Sequence, residues 1–254
     1  QNFLIDANLA RKLVEASGVG AGDLVLEVGP GAGALTETLV GMGCRVVASE
    51  MDKGLCELLR ERLGDRITLI EGDCLASKHR LNPEVLRALG DEPFRLVANL
   101  PYNAATPVMT LLMLEHPRCS GMFVTIQKEV ADRLAAQPGG KDYGPLSVLV
   151  QAFADVQRIA LAPPECFWPR PQVTSAMVAV TRREEPMTDD PRALEAVCAR
   201  AFQQRRKQLG SSLGRSFPWP EGVAATQRPE ELSPEQFAAM AAAMRRAGLV
   251  PEPG

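Results

Sequence analysis

An apolar run, Leu24-Val25-Leu26-Glu27-Val28, passes directly into Gly29-Pro30-Gly31-Ala32-Gly33 and then into a helix-forming stretch from Ala34 to Met42. A short apolar run bounded by turn residues reads as a strand buried on both faces. Strand, glycine-rich turn and helix in that order make the first part of a βαβ unit and commit the chain to an α/β sheet. The layout also suits a nucleotide. Glycines let backbone approach a ligand closely, and the helix N-terminus supplies unpaired N–H groups at the positive end of its dipole. The spacing is G-x-G-x-G, not the G-x-G-x-x-G that favours a dinucleotide pyrophosphate. A tight βα turn with no ligand is the competing reading of these glycines.

The following strands end in residues of the same kind. Arg45 to Ser49 ends in Glu50, with Met51 beside it, about twenty residues beyond the glycines; an acid at that distance can accept from both hydroxyls of a ribose. Ile67 to Ile70 leaves Asp73 and Cys74 at its edge, where Asp73 can accept from an adenine amino group. Val97 and Ala98 run into Asn99-Leu100-Pro101-Tyr102. Those four residues fit a strand stopped by a turn. They equally offer a base a ring to sit on and its amino group an acceptor. In an open parallel sheet, ligands collect beyond the carboxyl ends of the strands, where Gly29, Glu50, Asp73 and Asn99 all fall.

Asp6 is placed to cap a helix over Ala7 to Ser17, which leaves Asn2 and Phe3 as an end expected to fray, and Asp52 to cap one reaching Leu63. Further helices are expected over Thr106 to Leu114, with Pro107 in the first turn, over Gln127 to Ala136 and over Tyr143 to Phe153. Met122 to Ile126, Val156 to Leu161 and Ala176 to Val180 read as strands, the last two joined by the proline-rich Pro163 to Pro171. Seven strands with a hairpin closing one edge describe a doubly wound sheet. The charged stretch Arg182 to Pro191 marks a boundary, giving domains 1–183 and 184–254. The second is expected to be wholly helical, with the basic segment continuing a helix from Arg192 to about Leu213 and a last helix from Ser233 through Ala247.

Composition narrows the function. No apolar run is long enough to cross a bilayer, and the absence of an apolar leader makes a cytoplasmic location the expectation. Six cysteines without paired spacing and two histidines argue for free thiols and no metal site. A net charge of −3 disfavours a general nucleic-acid binder. Yet Arg200 to Arg215 holds five basic residues and no acidic one, so Arg205, Arg206 and Lys207 form the one plausible phosphate-facing patch.

The chain resembles the ribosomal RNA adenine dimethyltransferase family along nearly its whole length. The resemblance is carried by QNFLID (Gln1 to Asp6), LEVGPGAGALTE (Leu26 to Glu37), NLPY (Asn99 to Tyr102), QKEVADRL (Gln127 to Leu134), YGPLSVL (Tyr143 to Leu149), FWPRPQVTSA (Phe167 to Ala176) and AFQQRRKQL (Ala201 to Leu209). It implies a Rossmann-like class I methyltransferase sheet with a small all-α C-terminal domain, and S-adenosylmethionine as cofactor. By the same resemblance Asn2 and Leu4 close over the methionine end of the cofactor, against Gly29 and Gly31. Glu50 with Met51 takes its ribose, Asp73 with Cys74 its adenine, and Asn99 lies where cofactor and substrate meet. Members dimethylate two adjacent adenosines near the 3′ end of small-subunit rRNA, so the partner implied is that rRNA in a pre-30S-type particle, met by a monomer. The expected acceptor site is Asn99, Leu100, Pro101 and Tyr102, with Phe167 on the opposite face of the base. Two relatives are competing identities: the large-subunit enzyme of macrolide resistance, and a non-catalytic assembly or transcription factor of the same fold. The chain departs from the family pattern at Ala105, where a polar residue is usual, and at Trp168, a position of varied occupancy.

Overall fold

A computed structural model describes residues 2–77, 79–214 and 216–249. The chain forms two compact units, one of Gln1–Ala131 with Gln157–Thr181 and the other of Asp132–Val156 with Arg182–Gly254.

The first unit begins with β1 (Phe3–Leu4) and α1 (Ala7–Ser17), the latter capped by Asp6, whose carboxylate accepts from the Asn8 and Leu9 amides. There follow β2 (Leu24–Val28), α2 (Ala34–Gly41), β3 (Arg45–Glu50), α3 (Lys53–Leu63) and β4 (Ile67–Glu71). A small hairpin, β5 (Leu75–Ser77) with β6 (Arg80–Leu81), and helix α4 (Pro83–Leu89) lead to β7 (Phe94–Asn99). Then come α5 (Tyr102–Glu115), β8 (Cys119–Gln127), α6 (Lys128–Leu134), β9 (Ala154–Ala162), β10 (Phe167–Trp168) and β11 (Ser175–Arg182), of which the end of α6, the start of β9 and Arg182 are counted with the second unit. The seven-stranded sheet has the order β4-β3-β2-β7-β8-β11-β9. In that sheet β4, β3, β2, β7 and β8 run parallel, and β11 lies antiparallel to β8. Every residue of β2 is buried, as strands covered on both faces require. Leu13 and Val14 of α1 and Leu39 of α2 pack without exposure over Val25, Val46 and Val97. The expected frayed end is instead tied down. β1 pairs antiparallel with β10, Phe3 opposite Trp168 and Leu4 opposite Phe167, and the Ile5 amide donates to the Cys166 carbonyl.

Helix α5 starts four residues earlier than expected, at Tyr102, because Pro101 occupies its N-cap and receives the Ala104 and Ala105 amides. Pro107 therefore lies inside the helix, where it removes one bond to the exposed carbonyl-bearing residue Asn103. The β5–β6 hairpin and α4 were not anticipated, although Asn82 caps α4 and Pro83 opens it, a recognisable start signal.

The second unit contains α7 (Pro145–Gln151), α8 (Pro191–Phe202), α9 (Leu209–Leu213) and α10 (Pro234–Arg246). Tyr143 is fully buried there, with its hydroxyl donating to the Leu232 carbonyl at 2.7 Å. Phe202 lies edge-on to it and stacks on Phe237. That aromatic centre draws residues 132–156 into the helical unit, so the division differs from the single boundary expected at 183/184. The basic segment is not helical throughout. Helix α8 ends at Phe202, and Gln203 to Gln208 form turns before α9.

Candidate active site

From β2 the chain winds outward to β3 and β4, then returns to β7 on the other side of β2. The carboxyl ends of β2 and β7 therefore flank a topological switch point, the place where such sheets bind ligands. The two turns meet there. Gly29 has φ +70°, and a Cβ on it would lie 3.2 Å from Cγ of Pro101. Gly31 has φ +59°, and its Cβ would lie 2.6 Å from the Phe3 ring. Both glycines are demanded by protein neighbours as much as by any ligand.

Glu50 is buried at the end of β3. Its Oε1 accepts from the amides of Met51 (2.9 Å) and Asp52 (3.0 Å), and its Oε2 from that of Gly31 (3.1 Å). Of the four lone-pair positions of a carboxylate one is left, on Oε2. Asp73 is exposed, with Oδ1 accepting from the Leu75 amide at 2.9 Å. Burial pushes the neighbouring Cys74 thiol up to about 12, which keeps it neutral. Glu27, the penultimate residue of β2, is 1% exposed, and its Oε2 has no hydrogen-bond partner among the described residues. Burial raises its pKa from the ordinary carboxylate value to about 8. The Thr36 hydroxyl is near enough to offset part of the rise without aligning into a hydrogen bond, and the Glu50 charge adds to it.

At the end of β7 the Asn99 side chain donates through Nδ2 to the Asn2 carbonyl at 2.9 Å. An amide so held keeps Oδ1 as its available acceptor. The Leu100 amide donates to the Thr125 carbonyl at 3.1 Å, fixing the strand end. The Tyr102 hydroxyl shares a 2.9 Å hydrogen bond with that of Ser175, which is fully buried.

These residues surround one cavity of about 450 Å³, the size of a nucleoside-type ligand. Asn2, Leu4, Gly29, Glu50, Met51, Asp73, Cys74 and Asn99 to Tyr102 all line it, and so does Glu27. Two expected members do not. Gly31 faces the Phe3 ring. Phe167 is 3% exposed and packs in the core, because the two-residue alternation of β10 turns it inward and its neighbour Trp168 outward.

A family model described as ribosomal RNA adenine dimethylase matches residues 1–244. The chain belongs to the ribosomal RNA adenine dimethylase family. A ribosomal RNA small subunit methyltransferase A from Lachnoclostridium phytofermentans is 39% identical over 95% of this chain and 88% of its own length. The protein of the same name from Chlamydia caviae is 44% identical over 86% of this chain and 77% of its own. Among solved structures, a dimethyladenosine transferase from Plasmodium falciparum shares the fold with a TM-score of 0.81 at 20% identity, covering 97% of this chain and 98% of that one. The 23S rRNA methyltransferase ErmE has a TM-score of 0.73 at 25% identity, covering 96% and 99%. The sheet is that of a class I methyltransferase.

In this family member the cavity's own atoms fit a cationic, nucleoside-bearing cofactor. Oε2 of Glu27 is buried without a hydrogen-bond partner among the described residues, and a ligand cation beside it would favour the ionised carboxylate that burial alone disfavours. Asp73 uses Oδ1 for the Leu75 amide and keeps Oδ2 as an acceptor, and Met51, 68% exposed, lines the same cavity. Residue type and spacing missed two contributors. Glu27 reads as an interruption of an apolar strand, and Ser175 as a loop-to-strand residue far from Tyr102 in the sequence.

In the second unit of this dimethylase, two of the expected basic residues serve the fold. Arg205 pairs with Glu230 at 3.0 Å and donates to the Gly140 carbonyl, and Arg200 donates to the Leu213 carbonyl. Arg206 and Lys207 are exposed, and Arg215 lies outside the described residues.

Proposed function

We propose that the protein uses S-adenosylmethionine to dimethylate the 6-amino groups of two adjacent adenosines near the 3′ end of small-subunit rRNA. It would act in the cytoplasm as a monomer on a pre-30S-type particle. The observation that carries this reading is the Asn99 side chain, held through Nδ2 by the Asn2 carbonyl at the mouth of a nucleoside-sized cavity.

An adenine amino nitrogen shares its lone pair with the ring, so the site has to favour a tetrahedral nitrogen more than remove a proton. In the first transfer Asn99 Oδ1 and the Leu100 carbonyl would accept its two N–H bonds, which draws the lone pair out of conjugation. As nitrogen bonds the methyl carbon, the carbon–sulfur bond breaks and the nitrogen sheds one proton to solvent, leaving a single N–H to be held in the second transfer. Tyr102, fixed by Ser175, presents its ring to the extruded base. When bound, S-adenosylmethionine supplies an electrophilic methyl group. Asn2 and Leu4 close over its amino-acid end, the last lone pair of Glu50 accepts one ribose hydroxyl, and Asp73 takes the adenine amino group. Arg206 and Lys207 contact rRNA phosphates.

The test is to incubate the protein with labelled S-adenosylmethionine and unmethylated small or large subunits, then map the label. Dimethylated adjacent adenosines in small-subunit rRNA are expected. Label in large-subunit RNA alone would refute the proposal in favour of the macrolide-resistance activity.

A further inference from the structure

We infer that Trp168 is a stacking platform for the nucleotide next to the adenosine being methylated. Trp168 is 65% exposed, an unusual state for the largest apolar side chain. It is also ordered by its surroundings. Its backbone pairs with Phe3, and the two rings stack with centroids 6.5 Å apart and planes within 17°. Phe3 is in turn set against the Gly31 turn, which has no room for a side chain on that side. The indole thus lies beside the Phe3 ring, near-parallel and offset, while its exposed part presents a flat apolar surface to solvent.

Its position follows from the same strap. Asn2 holds Asn99, and the adjoining Phe3 lines the cavity and pairs with the exposed Trp168. Trp168 does not line the cavity, so the base it takes is not the one whose amino group meets Asn99. A base stacked on an exposed aromatic ring is bound in a sequence-tolerant way, and the flanking nucleotide is the one within reach when its neighbour is extruded. The inference rests on the proposed function, in which the flanking nucleotide is the second adenosine of the pair.

The experiment compares wild type, Trp168→Ala and Trp168→Phe on unmethylated small subunits, with cofactor affinity measured separately by calorimetry. Losing one base stack raises KM for the particle about fivefold or more in Trp168→Ala. Cofactor Kd is expected to stay within twofold, and Trp168→Phe to recover most of the loss. The chain has two tryptophans. In a Trp219→Phe background, the emission of Trp168 is expected to be quenched by a hairpin RNA bearing the adjacent adenosines, and less by one with an abasic flanking site. Equal KM for wild type and Trp168→Ala, on particles that wild type methylates, overturns the platform and leaves the function standing. A fall in cofactor affinity matching the fall in activity also overturns it, since Trp168 would then only brace β1. Absence of methylation by wild type overturns the function, and the platform with it.

Discussion

At the end of β7, Asn99 commits its amide N–H to the Asn2 carbonyl and Tyr102 its hydroxyl to Ser175, and what remains of both side chains faces the cavity. In the second unit, Arg205 commits its guanidinium to Glu230 and the Gly140 carbonyl, and Arg200 reaches the Leu213 carbonyl. The first region uses internal bonds to aim its remaining atoms into a cavity; the second uses up part of its charge in holding itself together. What a residue can offer a partner is what its own fold leaves over.

If that holds for the turn, Asn99→Ala removes the acceptor and the tether together. Transfer is expected to fall about 100-fold or more, the scale of losing one preorganised polar group at a reacting centre. Cofactor affinity, measured by calorimetry, should fall only a few-fold, because Glu50, Asp73 and Glu27 remain. Near-normal single-turnover transfer would break the reading of Oδ1 as the working atom.

Glu27 is the extreme of the same comparison, a carboxyl for which the fold provides no partner for Oε2. Its folded pKa is raised from 4.5 to about 8. The folded state therefore holds a proton that the unfolded chain has released, and the stability this gives is complete below about pH 4.5 and lost as pH rises through about 8. Glu27→Gln should unfold at nearly the wild-type temperature at pH 5 and be the more stable by on the order of 3–5 kcal/mol at pH 9. Thermal melts of both proteins across that range measure it. A gap that does not grow between pH 5 and pH 9 would show that Glu27 is ionised and satisfied in the empty protein.

In the basic segment the residues should separate by role. Arg206→Ala with Lys207→Ala is expected to leave the melting temperature within a degree or two. The slope of log affinity against log salt should drop by about 1.4 to 1.8, for two phosphate contacts. Arg205→Ala should do the reverse, costing roughly 0.5–1 kcal/mol of stability with little change in slope. Equal slopes for all three proteins would remove this segment from the RNA contact.

Much of the first unit was legible because its signals are local. The apolar run of β2, the cap of α1 at Asp6 and the cap of α3 at Asp52 depend on residues within one or two turns. The convergence of Gly29, Glu50, Asp73 and Asn99 was legible too, since strand ends in a parallel sheet share an edge. Hydrogen-bond allocation was not. Nothing near Glu50 in the sequence says that the Gly31 amide, nineteen residues away, would donate to its carboxylate. Nor does the local pattern say that Tyr143 would be buried among Leu232, Phe202 and Phe237 and carry 132–156 into the helical unit. Phe167 and Trp168 were a choice between two faces of a two-residue strand, settled by the pairing with β1, which a reading of the proline-rich loop alone does not contain.

The smallest effect tests whether the aiming of Tyr102 matters at all. Ser175 is buried at the start of β11, and its hydroxyl is within 2.9 Å of that of Tyr102. Ser175→Ala removes the partner without touching the cavity wall, since Ser175 does not line it. A neutral hydrogen bond of this kind contributes roughly 1 kcal/mol, so kcat/KM should fall about fivefold if the bond orients the ring for the base. Tyr102→Phe removes the same bond from the other side and leaves the ring. The two substitutions together should then cost no more than either alone. Additive losses would mean that Ser175 supports the fold around β11 independently, and that Tyr102 meets the base without being held for it.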